Sequence, residues 1–99
     1  SEEAETAVLG AVMLDRDALS RATEHIDDTM FFVERHRLLF RAMGVLEQQG
    51  GVIDPLTLSD ELQRRGELVR AGGQEYIAML LDAVPTAANV EYHAKIVKE

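Results

Sequence analysis

Val33-Glu34-Arg35-His36-Arg37-Leu38-Leu39-Phe40-Arg41-Ala42-Met43-Gly44-Val45-Leu46-Glu47-Gln48-Gln49-Gly50-Gly51 is the stretch whose reading decides the fold. Leu39, Ala42, Met43 and Leu46 recur at intervals of three and four, so a helix over about 33–49 carries them on one face, with Leu38 and Phe40 beside it. Gly50-Gly51 ends that helix, because glycine enters the left-handed conformation of a C-cap without a Cβ penalty. Immediately upstream, Asp27-Asp28-Thr29 reads as a turn leading into Met30-Phe31-Phe32. Two adjacent phenylalanines cannot share one helical face. One is expected to plug the core and the other to cover an edge.

The same period continues in both directions. Residues 3–14 place acid in a first turn, where it suits the helix dipole, and follow with an apolar band of Ala4, Ala7, Val8, Ala11, Val12 and Leu14. Gly10 inside this helix costs about 1 kcal/mol against alanine. The compensation expected is a close helix–helix approach along Ala7, Gly10 and Ala11. Asp15 caps a short helix over 16–25 carrying Ala18, Leu19 and Ala22.

Downstream, Asp54-Pro55 opens a helix by rule, an aspartate N-cap with proline at the first position, and Arg64-Arg65-Gly66 closes it. Gly72-Gly73 leads into a fifth helix burying Tyr76, Ile77, Leu80, Leu81 and Val84 before Pro85. Thr86 is expected to cap a sixth over 87–98, with Val90, Ala94 and Val97 on one side and Tyr92 and Ile96 next to it. No segment alternates as a strand does. The expectation is an all-α fold, a compact bundle of about six short helices forming one domain over 1–99. The last helix reaches Lys98-Glu99 with no glycine or proline to stop it, and the chain opens on Ser1 rather than methionine. A piece of a longer protein is therefore expected, with Val90, Ala94 and Val97 as a stripe for a partner lying beyond residue 99 or on another chain.

Composition narrows the function. The chain has 99 residues and no cysteine, so disulfides and thiolate zinc sites are excluded. The lack of cysteine fits a reducing compartment, so the cytoplasm is expected, and no apolar run reaches the roughly 18 residues of a membrane span. Ten Lys+Arg against eighteen Asp+Glu leave a net charge of −8, which disfavours DNA binding by this chain alone. Arg35, Arg37 and Arg41 are the main basic cluster, read as a solvated helix face, with phosphate contact as the alternative.

Sites for chemistry are expected to be absent. No glycine precedes lysine, serine or threonine, so a P-loop is excluded, and no G-x-G-x-x-G occurs. His25, His36 and His93 lie on three separate segments. His36 is read as a helix residue bonding a neighbouring element rather than a metal ligand. The acidic pairs Asp15/Asp17, Asp27-Asp28 and Asp60-Glu61 sit where caps and solvated faces want acid. Ser20 and Ser59 lack a nucleophile's context. Met13, Met30, Met43 and Met79 are read as gap-fillers in the core. What remains is a module that binds other proteins, with a free-standing adaptor and a nucleic-acid-binding helical module as the alternatives.

Seven short motifs, in order and in register, resemble the N-terminal domain of the bacterial replicative DNA helicase, the DnaB family. They are Glu3-Ala4-Glu5-Thr6-Ala7-Val8-Leu9-Gly10, Met13-Leu14-Asp15, Phe31-Phe32 with His36, Ile53-Asp54 with Thr57-Leu58, Leu62 through Gly66, Gly72-Gly73 with Tyr76-Ile77, and Val84-Pro85-Thr86-Ala87-Ala88-Asn89-Val90. Thr6, Phe32, Val33-Glu34, Val52 and Pro55 depart from the usual pattern, at caps and surface more than in the core. The resemblance implies a non-catalytic collar domain of a ring-shaped hexamer, pairing with its own kind and docking primase and a helicase loader or initiator. It implies that ATP and Mg belong to a motor domain of the parent protein, that DNA is contacted by the parent ring, and that this fragment holds no cofactor and no metal. The helix at 87–98 would begin the family's C-terminal helical hairpin. Primase coupling maps onto Glu3 and Tyr76 and more loosely onto Asp54. Each also has a plainer reading: helix-start charge, a core aromatic with a wet hydroxyl, and an N-cap.

Overall fold

A computed structural model describes residues 1–99 and contains six α-helices and no strand. They are α1 (Glu2–Leu14), α2 (Arg16–Thr23), α3 (Glu34–Gln48), α4 (Pro55–Arg64), α5 (Gly73–Ala83) and α6 (Val90–Lys98), with a 3-10 turn at Asp28–Met30. The all-α bundle expected from periodicity is the fold observed. No helix is long and apolar enough to cross a membrane.

Helix α1 is the hub, packed against α2, α3, α5 and α6. Its apolar band explains this: Ala4, Val8, Leu9, Ala11 and Val12 are all buried. Gly10 is the point of nearest approach. A Cβ built there would lie 2.5 Å from the Leu80 carbonyl oxygen and 2.7 Å from Val84 Cγ2, so only glycine lets α5 come this close. The expected compensation for a mid-helix glycine is thus present, through contact with α5.

Helix α3 forms the second layer, against α4, the 3-10 turn and α1. It buries Leu38, Phe40 and His36 as well as the Leu39–Ala42–Met43–Leu46 face, so more than one side is covered. Phe31 is the plug, 1% exposed, with its ring centroid 4.9 Å from that of Phe40, while Phe32 is 87% exposed. The left-handed turn expected after α3 is made by Gly50.

Several expectations need correction. Helix α6 begins at Val90, not at 87. The Thr86 hydroxyl is spent on a local turn, accepting from the Ala88 N–H at 3.1 Å, and Asn89 occupies the N-cap. Helix α2 stops at Thr23, two residues early, with Glu24 as its C-cap. Of the four methionines only Met43 is fully buried; Met13 is half-buried, and Met30 and Met79 are exposed. Apolar spacing alone could not tell the rim of a face from its centre.

Candidate functional site

The most organised polar feature is a chain of three side chains from three helices. Glu5 of α1 and His36 of α3 are 1% and 0% exposed, the most deeply buried titratable pair in the molecule. Glu5 Oε1 lies 2.7 Å from His36 Nδ1, and His36 Nε2 lies 2.6 Å from the Tyr76 hydroxyl on α5. A carboxylate offers only acceptors, so Nδ1 carries the proton that is donated to Glu5. In the neutral imidazole Nε2 then accepts the phenolic O–H of Tyr76. Every polar atom of the chain thereby has a partner, as burial requires.

Glu5 has a second task. The N-cap of α3 is Val33, whose side chain cannot accept the free N–H groups that begin a helix. Glu5, from another helix, instead holds the segment entering α3: Oε2 takes the N–H of Phe32, one residue before the cap, at 2.7 Å and Oε1 the N–H of Val33 itself at 3.4 Å. Arg37 holds the same loop from the other side, donating to the carbonyls of Phe31 and Phe32 at 2.9 and 2.8 Å. The exposed Phe32 ring is therefore carried on a backbone tied at both its N–H and its C=O.

Tyr76 is held at its ring as well. The ring lies nearly parallel to the His36 imidazole and end to end with it through the hydroxyl, 5.9 Å between centroids and 17° between planes, and the Arg35 guanidinium sits over the ring 4.4 Å from its centroid. Arg35 also approaches Glu2 at 3.7 Å. Tyr76 itself is half-buried, so a fully bonded interior network ends in an aromatic at the surface. Such an arrangement positions a side chain.

The residues singled out from sequence divide clearly. His36 does bond a neighbouring element, as expected. The Tyr76 hydroxyl, expected to be wet, is spent on His36 instead. Asp54 forms a full capping box: its carboxylate accepts the Thr57 N–H at 2.9 Å, and Thr57 Oγ1 accepts the Asp54 N–H at 3.0 Å. Glu3 is exposed at the start of α1, and it is Glu5, two residues on, that reaches the interior.

Val90, Ala94 and Val97 are 1%, 0% and 7% exposed. They face α1 and α2 within the chain, so they do not form an open stripe; the exposed aromatic of α6 is Tyr92 on its other side. Arg35, Arg37 and Arg41 are not a free basic face either. Arg41 pairs with Asp28 at 3.0 Å, and the other two are engaged as described.

Glu5 was absent from the sequence-based candidates although a signal existed. Counted with Val8, Leu9 and Val12 it completes an i, i+3, i+4, i+7 set, which makes it an acid at a core position.

Comparison with known proteins follows the same outline. The family model described as the DnaB-like helicase N terminal domain matches residues 1–99. The chain is similar to the replicative DNA helicase DnaB of Treponema pallidum, 48% identical over 95 residues that span 96% of this chain and 22% of that protein. It is similar to the replicative DNA helicase DnaB of Geobacillus stearothermophilus, 46% identical over 99 residues that span 100% of this chain and 22% of that protein. The crystal structure of the N-terminal domain of DnaB helicase from Mycobacterium tuberculosis superposes with a TM-score of 0.96 at 38% identity, covering 99% of this chain and 68% of that one. The chain thus spans about a fifth of the length of these two helicases.

Proposed function

The chain belongs to the DnaB-like helicase N-terminal domain family, and from that premise we propose that it is the non-catalytic collar domain of a replicative helicase, pairing subunits within a hexamer and docking primase or a helicase loader. The parent protein would unwind DNA in the cytoplasm with a separate motor domain that binds ATP and Mg, and DNA would be contacted by the assembled ring. The observation that carries the docking role is the anchoring of Tyr76. Its hydroxyl is held by His36 and one ring face by the Arg35 guanidinium, so the part left open is presented in one orientation. Fixing an aromatic before a partner arrives removes the entropic cost of ordering it on binding.

Glu3 and Asp54 enter more weakly. Glu3 is an exposed carboxylate at the beginning of α1, suited to steering a basic partner surface. Asp54 is occupied by its capping box, so its effect on a partner would run through the start of α4. Subunit pairing would use surface outside the buried Val90–Ala94–Val97 side, with Tyr92 its exposed aromatic.

The test is calorimetric titration of primase into the assembled full-length helicase carrying Tyr76→Ala or Tyr76→Phe. The reading expects Tyr76→Ala to weaken binding at least tenfold, while Tyr76→Phe, which keeps the ring, retains more of it. Equal affinity for wild type and a correctly folded Tyr76→Ala helicase would remove Tyr76 from the interface.

A further inference from the structure

A second cluster, outside the Glu5–His36–Tyr76 chain, brings three metal-ligating side chains together. Glu24 is the C-cap of α2, His25 follows it, and Glu91 lies in the first turn of α6. One ligand atom from each lies within 4.8 Å of the other two. His25 Nε2 and Glu91 Oε1 are 3.3 Å apart, with the side chains 23% and 47% exposed, and Glu24 is open to solvent.

We propose that Glu24, His25 and Glu91 form a binding site for a divalent transition-metal ion of the Zn²⁺ class, clamping the end of α2 to the start of α6. The argument begins with distance. Nitrogen and oxygen donors sit about 2.0–2.2 Å from Zn²⁺, so two donors on one ion are roughly 3–4 Å apart. His25 and Glu91 already stand at that spacing, the remaining separations need to close by at most about 1–2 Å, and two of the three atoms belong to side chains with room to turn.

The donor set gives the class of ion. One imidazole with two carboxylates suits a borderline ion, whereas Mg²⁺ prefers oxygen donors and holds its water. Charge gives the third argument. Neither Glu24 nor Glu91 is in an ion pair with a lysine or arginine. Two carboxylates therefore converge on one imidazole in a chain of net charge −8, and a dication would neutralise both. Binding takes the neutral imidazole, with Nε2 giving its lone pair to the ion and any proton there released to solvent. Three protein ligands leave the remaining positions to water. This reading stands independently of the docking role, because it concerns the chain by itself.

The experiment is calorimetric titration of ZnCl₂ into this chain in a buffer free of phosphate and chelators, repeated with Glu24→Gln, His25→Ala, Glu91→Gln and His93→Ala. The proposal expects one ion per chain, a loss of about tenfold or more in affinity for each of the first three variants, and no change for His93→Ala. Glu24→Gln alters an exposed side chain, so its effect is separable from misfolding. A CoCl₂ titration should give a visible absorption band in the wild type that the His25→Ala chain lacks. Absence of saturable Zn²⁺ binding, or binding that survives both Glu24→Gln and His25→Ala, would overturn the site. Equally tight binding of Mg²⁺ would overturn the assignment of ion class.

Discussion

Two helices of this domain begin in opposite ways. Helix α4 starts within its own sequence: Asp54 and Thr57, three residues apart, satisfy each other's N–H groups, and Pro55 needs no partner at all. Helix α3 starts on Val33, whose side chain caps nothing, and the Phe32 and Val33 amides at its entry are held by Glu5 on α1, 27 and 28 positions away. The local cap sets where one helix begins. The remote carboxylate fixes the entry to the other and ties two layers of the bundle together, with the imidazole of His36 and, through it, the phenol of Tyr76 hung from that carboxylate.

The comparison can be broken at its strongest point by Glu5→Ala. This leaves a buried imidazole N–H and the Phe32 amide without acceptors, and the expected cost is about 3 kcal/mol, read from the denaturant midpoint. A loss below that of Asp54→Ala would mean that water takes over the carboxylate's role. Glu5→Gln sharpens the point. Its single carbonyl oxygen can serve only part of the set, so its cost should fall between those of wild type and alanine.

Next in size is Tyr76→Phe. Nε2 of His36 loses its partner while the ring under Arg35 is kept, which should cost roughly 1–2 kcal/mol by thermal or chemical melting. A full double-mutant cycle with Glu5→Gln should show the two losses to be non-additive, since both act through one imidazole. Asp54→Ala is expected to cost about 1 kcal/mol, the usual worth of a solvent-side N-cap. Glu3→Ala should cost no more than about 0.5 kcal/mol, the share of one exposed carboxylate near the start of α1. A destabilisation by Glu3→Ala matching that of Glu5→Ala would undo the distinction between these two acids.

The contrast also explains what could be read from the sequence. Local devices were legible. The Asp54-Pro55 start, the Gly50-Gly51 stop, the paired fates of Phe31 and Phe32 and the close approach at Gly10 all follow from residues within a few positions of one another. The family resemblance was legible for the same reason, as a series of short motifs in fixed order. Glu5 was not singled out, because acid in a first turn has a sufficient local explanation and its real partners lie 27 to 31 positions further on. The start of α6 was misplaced because a threonine hydroxyl caps a turn as readily as a helix, and Thr86 does the former. Val90, Ala94 and Val97 have the spacing of a face that needs covering. Spacing does not reveal that α1 and α2 already cover it.

The carboxylate at the entry to α3 has one more consequence, for the order in which the molecule comes apart. Because the Phe32 and Val33 amides are sheltered by a side chain of a different helix, their protons cannot exchange through fraying of α3 alone. They should trade with deuterium only when α1 lifts away, at rates close to those of the slowest core amides. The first turn of α4, closed on itself, should open alone and much faster. Two helix beginnings of similar length would then report on two different scales of motion, one regional and one belonging to the whole domain.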